Sequence, residues 1–200
     1  MRNYRLRVPG PCGPIETVVN DPADPRRAIA LIAHPHPLHG GSLDNKVTAT
    51  IARALSQRGL VCVRPNFRGV GASAGEYAHG EGEAEDMRAV QRFVTARFEP
   101  LPLLLAGFSF GAYVQAKIAE EVAARHLILV APALNLFSFD ALAAPAHVIH
   151  GARDELVPLA LVEAWTRAHG VPCHVVAGAD HYFHRHLNHL AEAVAAACPF

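Results

Sequence analysis

Ser109, Asp154 and His181 are the residues of this sequence whose types and order could make a nucleophile. A serine hydroxyl attacks poorly at neutral pH. It needs a base within hydrogen-bond reach, and that base needs a carboxylate to fix its tautomer and orientation. Ser109 stands in Gly107-Phe108-Ser109-Phe110-Gly111, directly after the apolar run Leu103-Leu104-Leu105-Ala106. A strand that passes through such a Gly-x-Ser-x-Gly turn into a helix holds its serine in a strained conformation with the hydroxyl clear of the sheet, and the glycines relieve crowding. Asp154 follows the apolar run that ends at Gly151, and His181 follows the one that ends near Ala177. Asp140, after the preceding apolar run, is the rival acid, with Glu155 a more distant one. His184, His186 and His189 fall at the start of the last helical pattern and read as surface residues.

A serine nucleophile that attacks a carbonyl also needs N–H donors for the oxyanion it creates. The amide of Phe110, the residue after the nucleophile, is the first candidate. The second should come from His34-Pro35-His36-Pro37-Leu38-His39-Gly40-Gly41. Pro35 and Pro37 have no N–H, which leaves His36 and Leu38 nearby, and the His36 amide is favoured because two fixed-φ residues hold it. The clustered histidines lack metal-ligand spacing and have no interleaved carboxylate, so no metal and no cofactor are expected. Asn66-Phe67-Arg68-Gly69-Val70-Gly71-Ala72-Ser73 is glycine-rich but lacks the Lys-Ser/Thr of a phosphate loop; it is expected to border the pocket.

These residues must be positioned by a sheet. After an opening hairpin, Tyr4 to Val8 and Ile15 to Val19, apolar runs at 28–33, 60–64, 101–107, 126–130, 147–151 and 173–177 alternate with helix-period segments. The helical segments are 44–58, 83–98, 110–124, 159–169 and 184–197, with Gly59 and Gly170 where helix ends favour glycine. The rhythm is that of a parallel sheet with helices on both faces, in which ligands bind beyond the carboxyl ends of the strands. His34, Ser109, Asp154 and His181 all fall there.

The chain's 200 residues, 51% hydrophobic, suit a single domain spanning 1–200. Eighteen basic and eighteen acidic residues cancel without blocks of like charge, so neither nucleic acid nor an anionic membrane is an expected partner; a small neutral molecule is. The N-terminal segment alternates like a strand, and no run reaches the roughly 18 apolar residues of a membrane span, so a cytoplasmic location is expected. Cys12, Cys62, Cys173 and Cys198 are scattered and read as free thiols. Oligomeric state is not legible.

The chain resembles a family of small bacterial serine α/β-hydrolases related to dienelactone hydrolase. The likeness spans nearly the whole sequence and rests on His34-Pro35-His36-Pro37 through Gly40-Gly41, Asp44-Asn45-Lys46, Asn66 through Gly71, the Ser109 turn, and the Asp154 and His181 segments. Dienelactone hydrolase has cysteine where this chain has Ser109, which argues against its lactone substrate here. The resemblance implies an α/β-hydrolase fold: an eight-stranded, mostly parallel sheet whose second strand runs antiparallel. Lid domains in that superfamily commonly enter between the sixth and seventh strands, where this chain has only residues 131–146, so a lidless, open site is expected. Phe67, Phe108, Phe110, Phe137 and Tyr182 are candidate apolar walls. The expected activity is cleavage of carboxylic esters with small or short-chain acyl groups through an acyl-enzyme on Ser109. Acyl transfer, thioester or amide cleavage on the same residues, and a non-catalytic binding protein on a hydrolase scaffold, are the alternatives.

Overall fold

The computed structural model describes residues 2–98, 100–139 and 142–200. Eight strands form one sheet: β1 (Arg2–Gly10), β2 (Gly13–Asp21), β3 (Ala28–Ala33), β4 (Leu60–Pro65), β5 (Leu103–Phe108), β6 (His126–Val130), β7 (Ala146–Gly151) and β8 (Cys173–Val176). Their spatial order is β1-β2-β4-β3-β5-β6-β7-β8. β2 runs antiparallel to both its neighbours, and every other pairing is parallel. This is the α/β-hydrolase arrangement, with the second strand reversed as the resemblance implies.

Five helices cover the sheet: α1 (Lys46–Gln57), α2 (Glu81–Arg97), α3 (Phe110–Ile118), α4 (Leu159–His169) and α5 (Leu187–Ala197). Alternation along β3 shows how the layers form. Ile29, Leu31 and Ala33 join one apolar cluster with Met87 and Val90 of α2 and Val114 of α3. Ala28, Ala30 and Ile32 point the other way, into a cluster with Ile51 and Leu55 of α1 and Leu190 and Val194 of α5. Period-two side chains that are apolar at every position mark a strand covered on both faces. Among the described residues no helix is long and apolar enough to cross a membrane.

The opening hairpin is longer than its apolar core. Pairing continues through Pro9 opposite Pro14 to Gly10 opposite Gly13. β1 is an edge strand, where a missing proline N–H is tolerated. Two helices fall short of their sequence patterns by three residues or more at one end. α3 stops at Ile118 instead of Ala124, because the chain must turn back for β6; Ala123 takes φ 50° and the Arg125 amide donates to the Leu103 carbonyl at 2.8 Å. α5 begins at Leu187 instead of His184, since Phe183 and Arg185 have φ of 55° and 62° and cannot be helical.

The register sets the ends of the strands level. Ala33 pairs with Gly107, Phe108 with Val130, and Gly151 with Val176. The loops that follow β3, β5, β7 and β8 therefore meet along one edge of the sheet.

Candidate active site

Ser109 follows β5 with φ 54° and ψ −114°, a conformation that an L-residue adopts only when its surroundings impose it. Its amide donates to the Val130 carbonyl at 2.9 Å, which holds the turn against β6. A Cβ on Gly107 would overlap the Gly111 carbonyl, and one on Gly111 would overlap the carbonyl oxygens of Ala33 and His34. Both glycines are thus dictated by close backbone approach, and the turn opens directly into α3.

The three expected side chains come together. His181 Nε2 lies 3.1 Å from Ser109 Oγ, and His181 Nδ1 lies 2.7 Å from Asp154 Oδ2. An ionised carboxylate only accepts, so Nδ1 carries the ring proton and Nε2 is free to accept from the serine hydroxyl. Asp154 is itself fixed, its Oδ1 accepting from the amides of Leu156 at 2.9 Å and Val157 at 2.8 Å. Burial is the largest influence on this carboxyl and acts to raise its pKa. The hydrogen bonds from His181 and the Val157 amide, with the nearby histidines, outweigh it and bring the group below its ordinary value. The loops of the acid and the base are laced together as well: the Ala152 amide donates to Val176 at 3.0 Å and the Arg153 amide to Ala179 at 2.8 Å. Of the rival acids, Asp140 lies outside the described residues, and Glu155 is exposed.

The loop after β3 turns through a short 3-10 helix, Pro37–His39. His36 caps it, Nδ1 accepting from the Leu38 amide at 3.3 Å, and its Nε2 lies 3.1 Å from the Tyr77 hydroxyl. The Leu38 amide is consequently turned into its own loop, which leaves the His36 amide as the donor candidate from this segment. Phe110 supplies the other, as the first residue of α3, where a helix has N–H groups without intrahelical partners. His34 has a different part. It is fully buried, its Nδ1–H donating to the Pro35 carbonyl at 2.7 Å and its Nε2 accepting from the Phe67 amide at 2.9 Å. It straps this loop to the one after β4.

A pocket of about 270 Å³ opens above Ser109. Phe110, Phe137 and Tyr182 line it as expected, whereas Phe67 and Phe108 do not reach it and lie in the core; Phe110, though almost as buried, presents an edge to the pocket. Leu136 and Leu156, which the sequence did not single out, stand at its rim with 69% and 53% exposure. Their signal was legible in principle: large apolar residues in loops just beyond strand ends. The lining includes Asn45, Asn135 and His39, and among the described residues it holds no Lys, Arg, Asp or Glu. The glycine-rich loop after β4 does not border this pocket. It is pinned to the hairpin instead, with Glu16 Oε2 accepting from Asn66 Nδ2 at 2.8 Å and from the Ala72 amide at 2.9 Å. Arg68 in the same loop forms a buried two-point pair with Asp86 of α2, at 2.8 and 2.9 Å. A larger hollow of about 650 Å³ lies far from this chemistry, lined by the paired Arg26 and Asp21 among others.

The family model described as serine aminopeptidase, S33 matches residues 28–140. The chain belongs to that family. A structure described as an α/β serine hydrolase homologue from Coxiella burnetii is 40% identical with a TM-score of 0.92, over 98% of this chain and 97% of that one. XC6422 from Xanthomonas campestris, described as an α/β serine hydrolase without lid, is 37% identical with a TM-score of 0.90, over 97% and 92% of the two chains. Est1E from Butyrivibrio proteoclasticus, 16% identical with a TM-score of 0.79 over 96% of each chain, shares the fold. This S33 family member is thus an α/β serine hydrolase of the small, lidless kind.

Proposed function

We propose that this protein hydrolyses uncharged carboxylic esters with small or short-chain acyl groups, using Ser109 as nucleophile. Ser109 Oγ attacks the ester carbonyl while His181 Nε2 takes its proton; Asp154 holds the ring and stabilises its charged form. The amides of Phe110 and His36 receive the developing oxyanion. His181 then returns the proton to the departing alcohol, and a water molecule, activated the same way, cleaves the acyl-serine. The chemistry needs no group beyond these, and a small molecule is the proposed partner, in the cytoplasm.

One observation carries the reading: the 3.1 Å approach of Ser109 Oγ to His181 Nε2 at the floor of an uncharged pocket. The family's description raises the aminopeptidase reaction as a second reading. That reaction must hold a free ammonium group next to the scissile bond, which calls for a carboxylate in the lining. The described lining offers none, since Asp154 is buried behind His181. The test is a panel of acetyl to octanoyl esters beside aminoacyl anilides, run with the wild type and Ser109→Ala. Short esters should be turned over, and Ser109→Ala should lower kcat by about 10³ or more while remaining folded. Anilides cleaved as fast as esters, or ester turnover that survives the substitution, would overturn the reading.

A further inference from the structure

Behind the Asp154–His181 pair lies a second buried histidine. His150 is the penultimate residue of β7 and is fully inaccessible to solvent. Its Nε2 lies 2.9 Å from the Val157 carbonyl oxygen and 3.5 Å from Asp154 Oδ2. Its Nδ1 is buried, with no hydrogen-bond partner among the described residues. A carbonyl oxygen only accepts, so the proton of the neutral ring sits on Nε2 and the Nδ1 lone pair is left bare in the interior. An unpaired buried acceptor costs stability that an apolar side chain at the same place would not. Val148 and Ile149, equally inaccessible, show what the buried part of the strand otherwise carries, whereas the strand's other histidine, His147, is only half-buried. Packing therefore does not account for an imidazole here, and the Nε2–H does.

That N–H reaches the tightest part of the acid's loop. Val157 donates its amide to Asp154 Oδ1, and its carbonyl is the group that His150 holds. We infer that His150 is a positioning residue: its Nε2–H clamps the turn from Asp154 to Val157, so that Asp154 Oδ2 stays aimed at His181 Nδ1. The inference rests on the reading of Ser109, His181 and Asp154 given above. Burial, opposed by the Val157 carbonyl and Asp154, keeps the ring's pKa below its ordinary value, so His150 acts as a fixed dipole and not as a competing base.

Nitrogen-15 spectra of the histidines in the wild-type protein read the tautomer without any substitution. His150 should be the Nε2–H form throughout the range from about pH 6 to about pH 8; an Nδ1–H form or a charged ring overturns the inference. Kinetics supply the second arm. His150→Met keeps the bulk and removes the donor, whereas His150→Gln places an amide N–H at the reach of Nε2. The Met variant should lose about 10- to 100-fold in kcat with KM unchanged, as when a group orienting a reacting residue is removed, and the Gln variant should recover most of that loss. A Met variant at the wild-type kcat, or a Gln variant no faster than the Met variant, overturns it. Should the Met variant not fold, the tautomer and the Gln variant still decide. Ester turnover that survives Ser109→Ala would fail the reading of the site itself; turnover that needs Ser109 yet ignores His150→Met would fail this inference alone.

Discussion

Lowering the pH should loosen this protein at His34 in particular. The ring is fully buried, and both nitrogens are committed, Nδ1–H to the Pro35 carbonyl and Nε2 to the Phe67 amide. A second proton could go only on Nε2, where it would expel the Phe67 amide. Burial, opposed by the Pro35 bond, lowers the pKa of this histidine from 6.5 to about 4. The unfolded chain therefore takes up a proton before the native state does as the pH falls. Stability from this group is fully present above its unfolded pKa, declines as the pH drops below about 6.5, and is exhausted near pH 4. The whole gap is worth about 3 kcal/mol, and about 2 kcal/mol of it should be gone by about pH 5. For a chain of this size that is a fall of roughly 4–8 °C in Tm. The assay is urea or thermal unfolding of the wild type and His34→Gln at about pH 7 and about pH 5. Glutamine can still accept from the Phe67 amide but does not titrate. The variant should be less stable at the higher pH, by about 1–2 kcal/mol, yet lose about 2 kcal/mol less than the wild type on acidification. Other buried histidines titrate alike in both proteins and cancel, so equal losses would refute the assignment to His34.

Asp154→Asn should leave the fold and KM nearly intact and lower kcat by about 10² to 10⁴, because an amide can stabilise the wrong His181 tautomer; steady-state kinetics on a short ester would show it. Asp86→Ala should cost up to about 3–5 kcal/mol in urea unfolding, by leaving the buried Arg68 guanidinium with only the exposed Glu85 carboxylate at 3.6 Å, and a loss under about 1 kcal/mol would mean that the pair with Asp86 is solvated.

The sheet was legible because both-face burial makes its central strands continuous apolar runs, and because glycine marks helix ends at Gly59 and Gly170, both of which take positive φ. The three candidate residues were legible because strand ends in a parallel sheet share one edge. What escaped was set by contacts distant in sequence. Residues 119–124 are good helix formers, and only the need to reach β6 stops α3 before them. His184 looks helical, but its amide and ring both bond the Asp180 carboxylate, at 3.0 and 2.7 Å, and fold the segment into a turn. His34 and His36 are neighbours of one type in one motif; burial makes the first a strap, whereas the second caps a turn at the pocket. The Phe residues divided the same way, since no local pattern tells a core face from a pocket wall. His150 carried no signal at all, being one more residue of a buried strand.

Under the function proposed above, the uncovered pocket would bear on the fate of an acyl-serine once the alcohol has left. An acyl group held on a serine inside a sealed chamber can be handed to whichever acceptor the chamber admits. The same intermediate beneath the exposed rim of Leu136 and Leu156 would meet solvent at every collision. A competing alcohol would have to outpace water with no closing element among the described residues to hold it in place. On that proposal, a pocket without a cover among the described residues would favour hydrolysis over transfer, with substrates and products exchanging directly with solvent.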